Sequence, residues 1–435
     1  MCPAHPGFDN APAPAHRGVL PSGASTCIAL HSLRNMTTDA LEQARTAFLQ
    51  GTAAFAEQRF DDAAQAFAHA LAMAPGRPSV MVNLGVTRLH QGQPAAALPL
   101  LEAATAALPD ASDAWSALAL AHHQLARWAD SARSHARALA LGADSAALRL
   151  RLAESLSRQG LGSAAVEHYE TALAADDTLV EAWSALGDVL RESGQLDRAA
   201  HCYQRALDLG ADPALHHYYL AALRPQAPLV EAPRTYVQAL FDGYAHDFED
   251  HLVGQLGYQG HRLLIEQLPP ECPAFAARVL DLGCGTGLCG PLLRPRAGHL
   301  TGVDLSPAMV DKARARGLYD DLQIHDIHDH LGDGGAPYDL IVAADVFIYV
   351  GPLERAFALA SQRLQTGGWL AFTVEDAAQG PGVQLLPSLR YAHREEYLRA
   401  LAGTHGLAVR KVLDAPIRFH EHQPIAGRYV YMQKA

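Results

Sequence analysis

The chain has 435 residues, 49% of them apolar, which is enough for two or three domains with sizeable cores. Its formal net charge of −12 argues against a nucleic-acid backbone as the main partner, and no apolar run reaches the ~18 residues of a membrane span. The six cysteines form no Cys-x-x-Cys pair, so they predict free thiols in a reducing compartment, the cytoplasm.

Residues 1–38 form the first segment, which is rich in Pro, Gly, Ala and Ser and shows no periodicity. The segment lacks the apolar core of a secretory signal, so we interpret it as a disordered leader. Met36 begins a better-patterned stretch and is an alternative to Met1 as the first residue of the translated protein.

Residues 44–213 repeat with a period of 34, in five gap-free blocks that begin at 44, 78, 112, 146 and 180. Small residues recur at block position 8, as in Gly51 and Gly85, and larger ones at position 24, as in Phe67 and Leu101. The pattern resembles the tetratricopeptide repeat, a helix-turn-helix unit. That resemblance implies an α-solenoid whose concave face binds a protein or peptide. The alternative is an arm that only holds the next domain or mediates self-association.

A short connection separates the repeats from the rest of the chain. Residues 214–224 are predicted to form a helix that caps the last repeat, and prolines then indicate a linker that ends at 233. The second large domain is predicted over 234–435. It opens with aromatic residues at helical spacing, which are typical of core packing.

The first strand predicted in this domain, residues 277–282, ends in a glycine-rich turn followed by a helix. Glycine occupies alternate positions of that turn, at Gly283, Gly285 and Gly287. Glycine is needed where the chain turns sharply and where a ligand approaches the backbone. A second apolar strand ends at Asp304, at a spacing that suits an acid binding the two hydroxyls of a ribose. Ser306 is the better cap for the next helix, which leaves Asp304 to the ligand.

Two interpretations fit this turn. Residues 285–290 match Gly-x-Gly-x-x-Gly, which predicts a nicotinamide-dependent oxidoreductase but is a weak pattern on its own. The longer stretch at 281–287, Asp-Leu-Gly-Cys-Gly-Thr-Gly, resembles motif I of the class I S-adenosylmethionine (SAM) dependent methyltransferases. We favour the second interpretation because the match is longer and includes the acid at the end of the strand.

Residues 234–435 as a whole resemble bacterial methyltransferases that carry an N-terminal tetratricopeptide array. The stretches that carry the resemblance are Phe-Asp-Gly-Tyr-Ala, Asp-Leu-Gly-Cys-Gly-Thr-Gly-Leu-Cys-Gly and Arg-Tyr-Ala-His. The resemblance implies a Rossmann-like α/β domain, placed after the α-solenoid, with a seven-stranded class I methyltransferase sheet that ends in a hairpin. Seven β-like runs, the last two near residues 408–413 and 427–432, fit that sheet better than a dehydrogenase.

The resemblance also implies SAM as the cofactor, S-adenosylhomocysteine as the product and no metal. The third strand is predicted over 322–327, the fourth over 338–347, and the fifth after a turn at 367–368. An acid at the end of the third strand would meet the adenine amino group, the last residues of the fourth would lie near the sulfonium, and aromatic residues of the first helix would form a lid. The implied cofactor contacts are Asp281, Gly283, Cys284, Gly285, Gly287, Leu288, Asp304, Leu305, Met309, Asp326, Ile327, Asp345, Phe347, Tyr236 and Tyr244. The alternatives are a loop acid at Asp326 and core packing at Tyr236 and Tyr244.

The acceptor side is predicted between the fifth strand and the last helix, where loops of this fold line the acceptor pocket. His393 is a candidate general base, Arg390 a candidate carboxylate anchor, and Tyr391 a third candidate, while the alternative is ordinary helix capping. No Asn/Asp-Pro-Pro-Tyr motif follows the fourth strand, which argues against N-methylation of an amide or a base. The classes of methyl acceptor that the sequence leaves open are a small molecule, a carrier-bound group and a protein.

Two further alternatives concern metals and the class of protein. The 23 histidines are mostly scattered, and the group His325, His328 and His330 suggests a surface loop more than a metal site. The main hypothesis is a methyltransferase with a docking arm. The second is an interaction scaffold whose SAM domain only senses the cofactor, and turnover would separate the two.

Overall fold

A computed structural model of the protein describes residues 38–224, 229–245, 257–377, 379–420 and 423–435. The predicted leader, apart from Thr38, and Met36 lie outside these ranges, and the side chain of Tyr244 is not described. The described residues form two compact units, with the division between Ser193 and Gly194. No helix in these ranges combines the length and the apolar character that crossing a bilayer requires.

The first unit, described over 38–193, is built from helices that pack in consecutive pairs. Its helices are α1 (Thr38–Ala56), α2 (Phe60–Met73), α3 (Pro78–His90), α4 (Pro94–Ala107), α5 (Ser112–Gln124), α6 (Trp128–Ala140), α7 (Ala146–Ser157), α8 (Gly162–Ala175) and α9 (Val180–Glu192). Helices α3, α5, α7 and α9 begin at the predicted block starts, whereas α1 begins before residue 44. The helix-turn-helix repeat inferred from the period is therefore the architecture of this unit.

Small residues at block position 8 allow the paired helices to touch. A Cβ atom added to Gly51 would lie 2.8 Å from Phe67 Cδ1, and one added to Gly85 would lie 2.7 Å from Leu101 Cδ2. Phe67 and Leu101 are completely buried. The large side chain at position 24 thus fills the space that the glycine leaves, as the repeat pattern predicts.

The second unit begins at Gly194 and contains the sheet. Its helices are α10 (Leu196–Asp208), α11 (Pro213–Ala222), α12 (Arg234–Tyr244), α13 (Gly260–Glu266), α14 (Gly290–Leu293), α15 (Pro307–Ala315), α16 (Ile327–Gly332), α17 (Glu354–Arg363) and α18 (Glu395–Thr404). Its strands are β1 (Ala276–Leu282), β2 (Ala297–Asp304), β3 (Asp321–Ile324), β4 (Tyr338–Ala343), β5 (Leu364–Asp376), β6 (Val383–Leu385), β7 (Tyr391–His393), β8 (Leu407–Asp414), β9 (Arg418–His420), β10 (Gln423–Ile425) and β11 (Gly427–Lys434).

Seven strands follow the order β3-β2-β1-β4-β5-β11-β8. The first five are parallel, and β11 pairs antiparallel with both β5 and β8. This is the Rossmann-like sheet with a terminal hairpin that the resemblance implied. Two additions were not predicted from the sequence: β7 pairs with the last residues of β5 and with β6, and β9 and β10 form a separate hairpin between β8 and β11.

Both faces of the sheet are covered, as expected for parallel strands with continuous apolar sequences. Strand β4 shows the alternation, because Leu340 and Val342 belong to one apolar core, and Ile341 and Ala343 belong to the other. The carboxyl ends of β1, β2, β4 and β5 therefore lie at one edge of a rigid, two-sided core.

Three predicted strand ends were wrong. The third strand ends at Ile324 because Asp326 caps α16, accepting hydrogen bonds from the backbone nitrogens of His328 (2.9 Å) and Asp329 (3.3 Å). The fourth strand ends at Ala343, before Asp345 adopts a left-handed φ of 62°. The fifth strand begins at Leu364 and runs through the residues predicted as a turn at 367–368.

Helix α11, the predicted cap of the repeats, belongs to the same compact unit as the sheet. The Tyr218 hydroxyl donates a hydrogen bond to the Leu389 carbonyl (2.7 Å), and the Tyr218 ring lies 5.5 Å from that of Tyr236 on α12. The Tyr391 hydroxyl donates to the Val230 carbonyl. Two tyrosines thus connect the segment before the sheet to the residues around β7.

Candidate active site

The turn after β1 requires glycine at two positions for different reasons. Gly283 has a φ of 71°, and an added Cβ would overlap Val346. Gly285 has a φ of 53°, and an added Cβ would meet no atom within 4 Å. Left-handed backbone at both positions favours glycine. The open space beside Gly285 is the kind of cradle that a ligand lying against the backbone needs.

Asp304, at the end of β2, faces this turn. One carboxylate oxygen accepts a hydrogen bond from the Gly285 backbone nitrogen (2.8 Å), and the other accepts from the Ser306 nitrogen (2.9 Å). Ser306 caps α15 through its own hydroxyl, which accepts from the Met309 nitrogen (3.1 Å). The prediction that Ser306, rather than Asp304, caps this helix is therefore confirmed. The Leu305 nitrogen also bonds to this carboxylate, which therefore keeps at least one lone pair for another donor, and burial raises the pKa of the Asp304 carboxyl.

Asp242 is a residue of this site that the sequence analysis missed. It lies on α12 and accepts a hydrogen bond from the Ser306 hydroxyl and one from the Ala308 nitrogen (3.4 Å). A carboxylate at a helix N-terminus is stabilised by the helix dipole. Asp242 stands within a stretch quoted for the family resemblance, but nothing in its spacing indicated that α12 would meet the start of α15.

Asp281 lies beneath the turn. It is 1% exposed, and one of its oxygens accepts a hydrogen bond from the Tyr319 hydroxyl (2.6 Å). Burial raises the pKa of Asp281 to about 7, against the opposing effect of hydrogen bonds from Tyr319 and Cys289. Direct contact of Asp281 with a cofactor stays a prediction. In the structure, the Asp281 carboxyl is buried next to the turn and is hydrogen-bonded to Tyr319.

We expect the free energy of unfolding to depend on pH through Asp281. An unfolded aspartate has a pKa of about 3.9, so between about pH 4 and 7 the folded protein binds more protons than the unfolded chain. This carboxyl therefore lowers stability progressively as the pH rises from about 4 to 7, with no further change above about pH 8. Asp281→Asn removes the titration and still accepts from Tyr319. Denaturant unfolding at several pH values should show that the free energy of unfolding of the variant rises relative to that of the wild type as the pH increases to 7. Parallel pH profiles would contradict the raised pKa of Asp281.

The remaining residues of the turn are buried in different surroundings. Cys284 is 6% exposed, and Leu288 packs against an apolar pair formed by Tyr258 and Ile417. Arg316 holds the turn by donating from Nε to the Thr286 carbonyl (2.6 Å).

The predicted adenine side lies at the start of α16. Asp326 caps the helix with one oxygen, and its other oxygen is 3.3 Å from Arg234 Nε. Ile327 is partly buried against the core, Met309 is completely buried, and Leu305 is half-buried. These residues lie beyond the ends of β2 and β3, on the same side of the sheet edge as Asp304.

The carboxyl ends of β4 and β5 carry a buried ion cluster that the sequence analysis did not predict. Arg418, which begins β9 and is 4% exposed, pairs with Asp345 (3.0 Å) and with Glu375. The Asp345 nitrogen donates to the Thr373 hydroxyl (2.8 Å), which fixes its left-handed backbone. Asp345 was predicted near the sulfonium. Its partner Arg418, and Glu375, which pairs with the same arginine, come from distant parts of the chain, so no local pattern indicated them.

Two aromatic residues predicted as cofactor contacts pack elsewhere within the unit. Phe347 is 1% exposed, with ring centroids 5.1 Å from Phe372 and 6.5 Å from Phe357. Tyr236 is 4% exposed beside the rings of Tyr218 and Tyr219. Tyr236 has the core packing that was its alternative, and Phe347, predicted near the sulfonium, packs in the core as well.

The three candidate acceptor-side residues have different surroundings. His393 is completely buried in β7, its Nε2 donates to the Gly351 carbonyl (2.7 Å), and burial lowers its pKa to about 4. Tyr391 is completely buried as well, and burial raises its pKa. Arg390 is half-buried, and its Nε donates to the Tyr349 hydroxyl (3.4 Å). The segment expected to be a loop is thus ordered as β6 and β7.

The histidine-rich segment after β3 is held by hydrogen bonds. His330 contacts the Tyr338 hydroxyl (3.1 Å) and the Gln323 amide oxygen (3.0 Å), and His325 lies 3.3 Å from Asp333. In the part of the chain that the structure describes, no three histidine, cysteine or acidic side chains come together as a metal site would need.

Comparison with known proteins gives matches on both units. Residues 256–412 match the family described as a methyltransferase domain, and residues 54–121 and 180–212 match tetratricopeptide repeat families.

Relatives of the second unit act on different acceptors by name. The chain is 32% identical over 110 residues to a ubiquinone biosynthesis O-methyltransferase of Xylella fastidiosa, covering 24% of this chain and 45% of the relative. It is 37% identical over 110 residues to an 18S rRNA (guanine-N(7))-methyltransferase of Bos taurus, covering 25% and 38%. It is 35% identical over 144 residues to a trans-aconitate 2-methyltransferase of Streptomyces avermitilis, covering 31% and 52%.

The chain spans about half the length, or less, of these relatives, so the likeness concerns a shared domain. The glycine-rich turn after β1 and Asp304 at the end of β2 lie within the residues that match the methyltransferase domain. The chain carries a methyltransferase domain preceded by tetratricopeptide repeats.

Proposed function

We propose that the protein binds SAM at the carboxyl ends of β1 and β2 and transfers its methyl group to an acceptor at the ends of β4 and β5. The observation that carries this proposal is the open space beside Gly285, bordered by Asp304. A buried acid with a lone pair left and a backbone without a side chain suit a ribose and the atoms attached to it.

The residues of the chain have separable roles in this proposal. A bound SAM supplies a methyl group on a positively charged sulfur, which makes the carbon open to in-line displacement. Asp304 accepts hydrogen bonds from the ribose hydroxyls, and the turn at Gly285 lets the ligand lie against the backbone. The carboxylate of Asp345 adds negative charge on the side of β4. His393 is neutral at pH 7, and its Nδ1 is the ring nitrogen with a lone pair for a proton.

The repeats have a proposed role of their own. We propose that their concave face binds a protein or peptide that presents the acceptor or brings the enzyme to it. The acceptor is a small molecule, a carrier-bound group or a protein side chain. The four described cysteines are buried and lie outside any disulfide bond, which supports the cytoplasm as the compartment.

Calorimetric titration with S-adenosylhomocysteine, with NADH as the control, tests the cofactor. We expect micromolar binding of the former only, and a roughly tenfold or greater loss of affinity in Asp304→Ala, since hydrogen bonds to a charged group contribute about 1.5–3 kcal/mol. Asp311→Ala, on the exposed side of α15 with a side chain 69% exposed, is the matched control and should bind normally.

Other outcomes of these measurements would each support a different function. NADH binding would support an oxidoreductase, and binding of neither ligand would support the scaffold hypothesis. Binding of SAM without release of S-adenosylhomocysteine above the spontaneous rate, in the presence of cell extract, would indicate a sensor.

A further inference from the structure

Arg390 lies at the carboxyl edge of the sheet, on the side away from Asp304. It immediately precedes β7, whose Ala392 is paired with Glu375 at the end of β5. In open α/β sheets the carboxyl ends of the strands form the ligand-binding edge. With the cofactor proposed over β1 and β2, Arg390 lies over the strands that remain for the acceptor.

The guanidinium of Arg390 has no carboxylate within 4 Å among the described residues. Arg390 is half-buried, and the one hydrogen bond of its side chain to a described residue joins Nε to the Tyr349 hydroxyl. The acids in the neighbourhood, Asp345 and Glu375, are both paired with Arg418. A guanidinium is always charged and carries five N–H donors, so its terminal donors are left for a ligand. Partly burying such a charge is costly unless an anion offsets it.

The chain holds this arginine in place before any ligand arrives. Leu389 has a left-handed φ of 60°, and its carbonyl accepts the hydrogen bond from Tyr218. The Arg390 carbonyl accepts from the Leu386 nitrogen (2.8 Å). Tyr349 packs edge-on against Phe241 at 5.2 Å. A donor fixed in this way binds its ligand with a smaller loss of conformational freedom.

We propose that the methyl acceptor carries a carboxylate, which binds the terminal nitrogens of Arg390. This inference rests on the proposed function, since it names the substrate class of the same site. A guanidinium matches the two oxygens of a carboxylate in a bidentate pair.

Charge favours a carboxylate over a phosphate monoester. The charges of Asp345, Glu375, Arg418 and Arg390 sum to zero, because the two carboxylates balance the two guanidinium groups. One carboxylate brings the site to a single negative charge, which the positive sulfur of a bound SAM offsets. A phosphate monoester carries a charge of about −1.5 to −2 at pH 7 and would leave an excess of negative charge beside Asp345 and Glu375.

Ligand-observed NMR on the full-length protein tests the proposal. The probes are the matched pairs benzoate and benzamide, acetate and acetamide, and succinate and succinamide, each titrated with and without S-adenosylhomocysteine. We expect the carboxylates to bind better than their amides. We also expect Arg390→Gln to lower the carboxylate affinity by about 10- to 100-fold, since bonds to a charged group are lost.

Arg394→Gln is the matched control, because the same change at a nearby arginine removes only a surface pair with Glu396 and a hydrogen bond to the Gly380 carbonyl. It should bind the carboxylates like the wild type. Carboxylates that bind no better than their amides, or bind Arg390→Gln as well as the wild type, would overturn the proposal. Inorganic phosphate that binds more tightly than acetate would overturn the choice of carboxylate.

Calorimetry with S-adenosylhomocysteine on the same samples separates this inference from the proposed function. A wild type that binds no S-adenosylhomocysteine would contradict the function, while the titrations without that ligand would still decide the role of Arg390. Normal S-adenosylhomocysteine binding with no carboxylate preference would contradict the inference alone.

Discussion

Gly285→Val should abolish S-adenosylhomocysteine binding, the largest effect that we expect of any single change at the cofactor site. The valine side chain would occupy the space beside the turn that no protein atom fills within 4 Å. We expect the affinity to fall by more than ~100-fold, or about 3 kcal/mol, the upper range for an overfilled space. Calorimetric titration of the variant measures the loss.

Backbone strain must be separated from blocked space, because a residue with a side chain is also disfavoured at a φ of 53°. Gly406→Val is the control: Gly406 has a φ of 68°, an added Cβ there would meet no atom within 4 Å, and it follows α18. Both variants should lose a similar ~1–2 kcal/mol of stability through strain. Normal S-adenosylhomocysteine binding by Gly285→Val would show that the cofactor lies elsewhere.

Arg418→Met should lower the free energy of unfolding by about 3–5 kcal/mol, the largest effect on stability that we expect of a single substitution. Removing the guanidinium leaves the buried Glu375 carboxylate and the partly buried Asp345 carboxylate without their counter-ion. Methionine retains much of the apolar stem of arginine, so the loss reports mainly on charge. Denaturant unfolding at pH 7 measures it.

A control and a rescue identify the cause of that loss. Arg399→Met removes an arginine from an exposed pair with Glu395 on α18, and it should change stability by less than about 0.5 kcal/mol. Combining Arg418→Met with Asp345→Asn and Glu375→Gln should restore part of the stability, because neutral amides tolerate burial better than lone charges. A single-variant loss below about 1 kcal/mol would show that the ion cluster is not important for folding.

The turn after β1 and Asp304, where we propose that the cofactor binds, could be predicted from the sequence because their signals are local. The glycines of the turn, Asp304 and the Ser306 cap all lie within one strand-turn-helix-strand unit, where spacing along the chain determines spacing in the fold. The repeat unit was predictable for the same reason. Gly51 meets Phe67 in the next helix, and the contact recurs between Gly85 and Leu101.

The acceptor side could not be predicted, because its contacts join distant segments. Arg418 meets Asp345 and Glu375 only because a short hairpin between β8 and β11 brings it back to the sheet edge. Asp242 reaches Ser306 across a separation of 64 residues. No periodicity or motif in the sequence indicates such contacts between distant residues. The strand-end errors at Asp326 arose differently, since a residue that caps a helix can look like the end of a strand in sequence.

The hydrogen bond from Tyr218 to the Leu389 carbonyl has a consequence for how the domains of this protein can be exchanged. Helix α11 follows the repeats in sequence, yet it supports the residues next to Arg390. A natural fusion or a laboratory chimera that joined a new targeting arm at residue 233 would discard this support along with the old repeats. An exchange that keeps residues from 194 onward would carry it along. The segment that must be transferred together with the methyltransferase domain is therefore longer than the sheet and its covering helices.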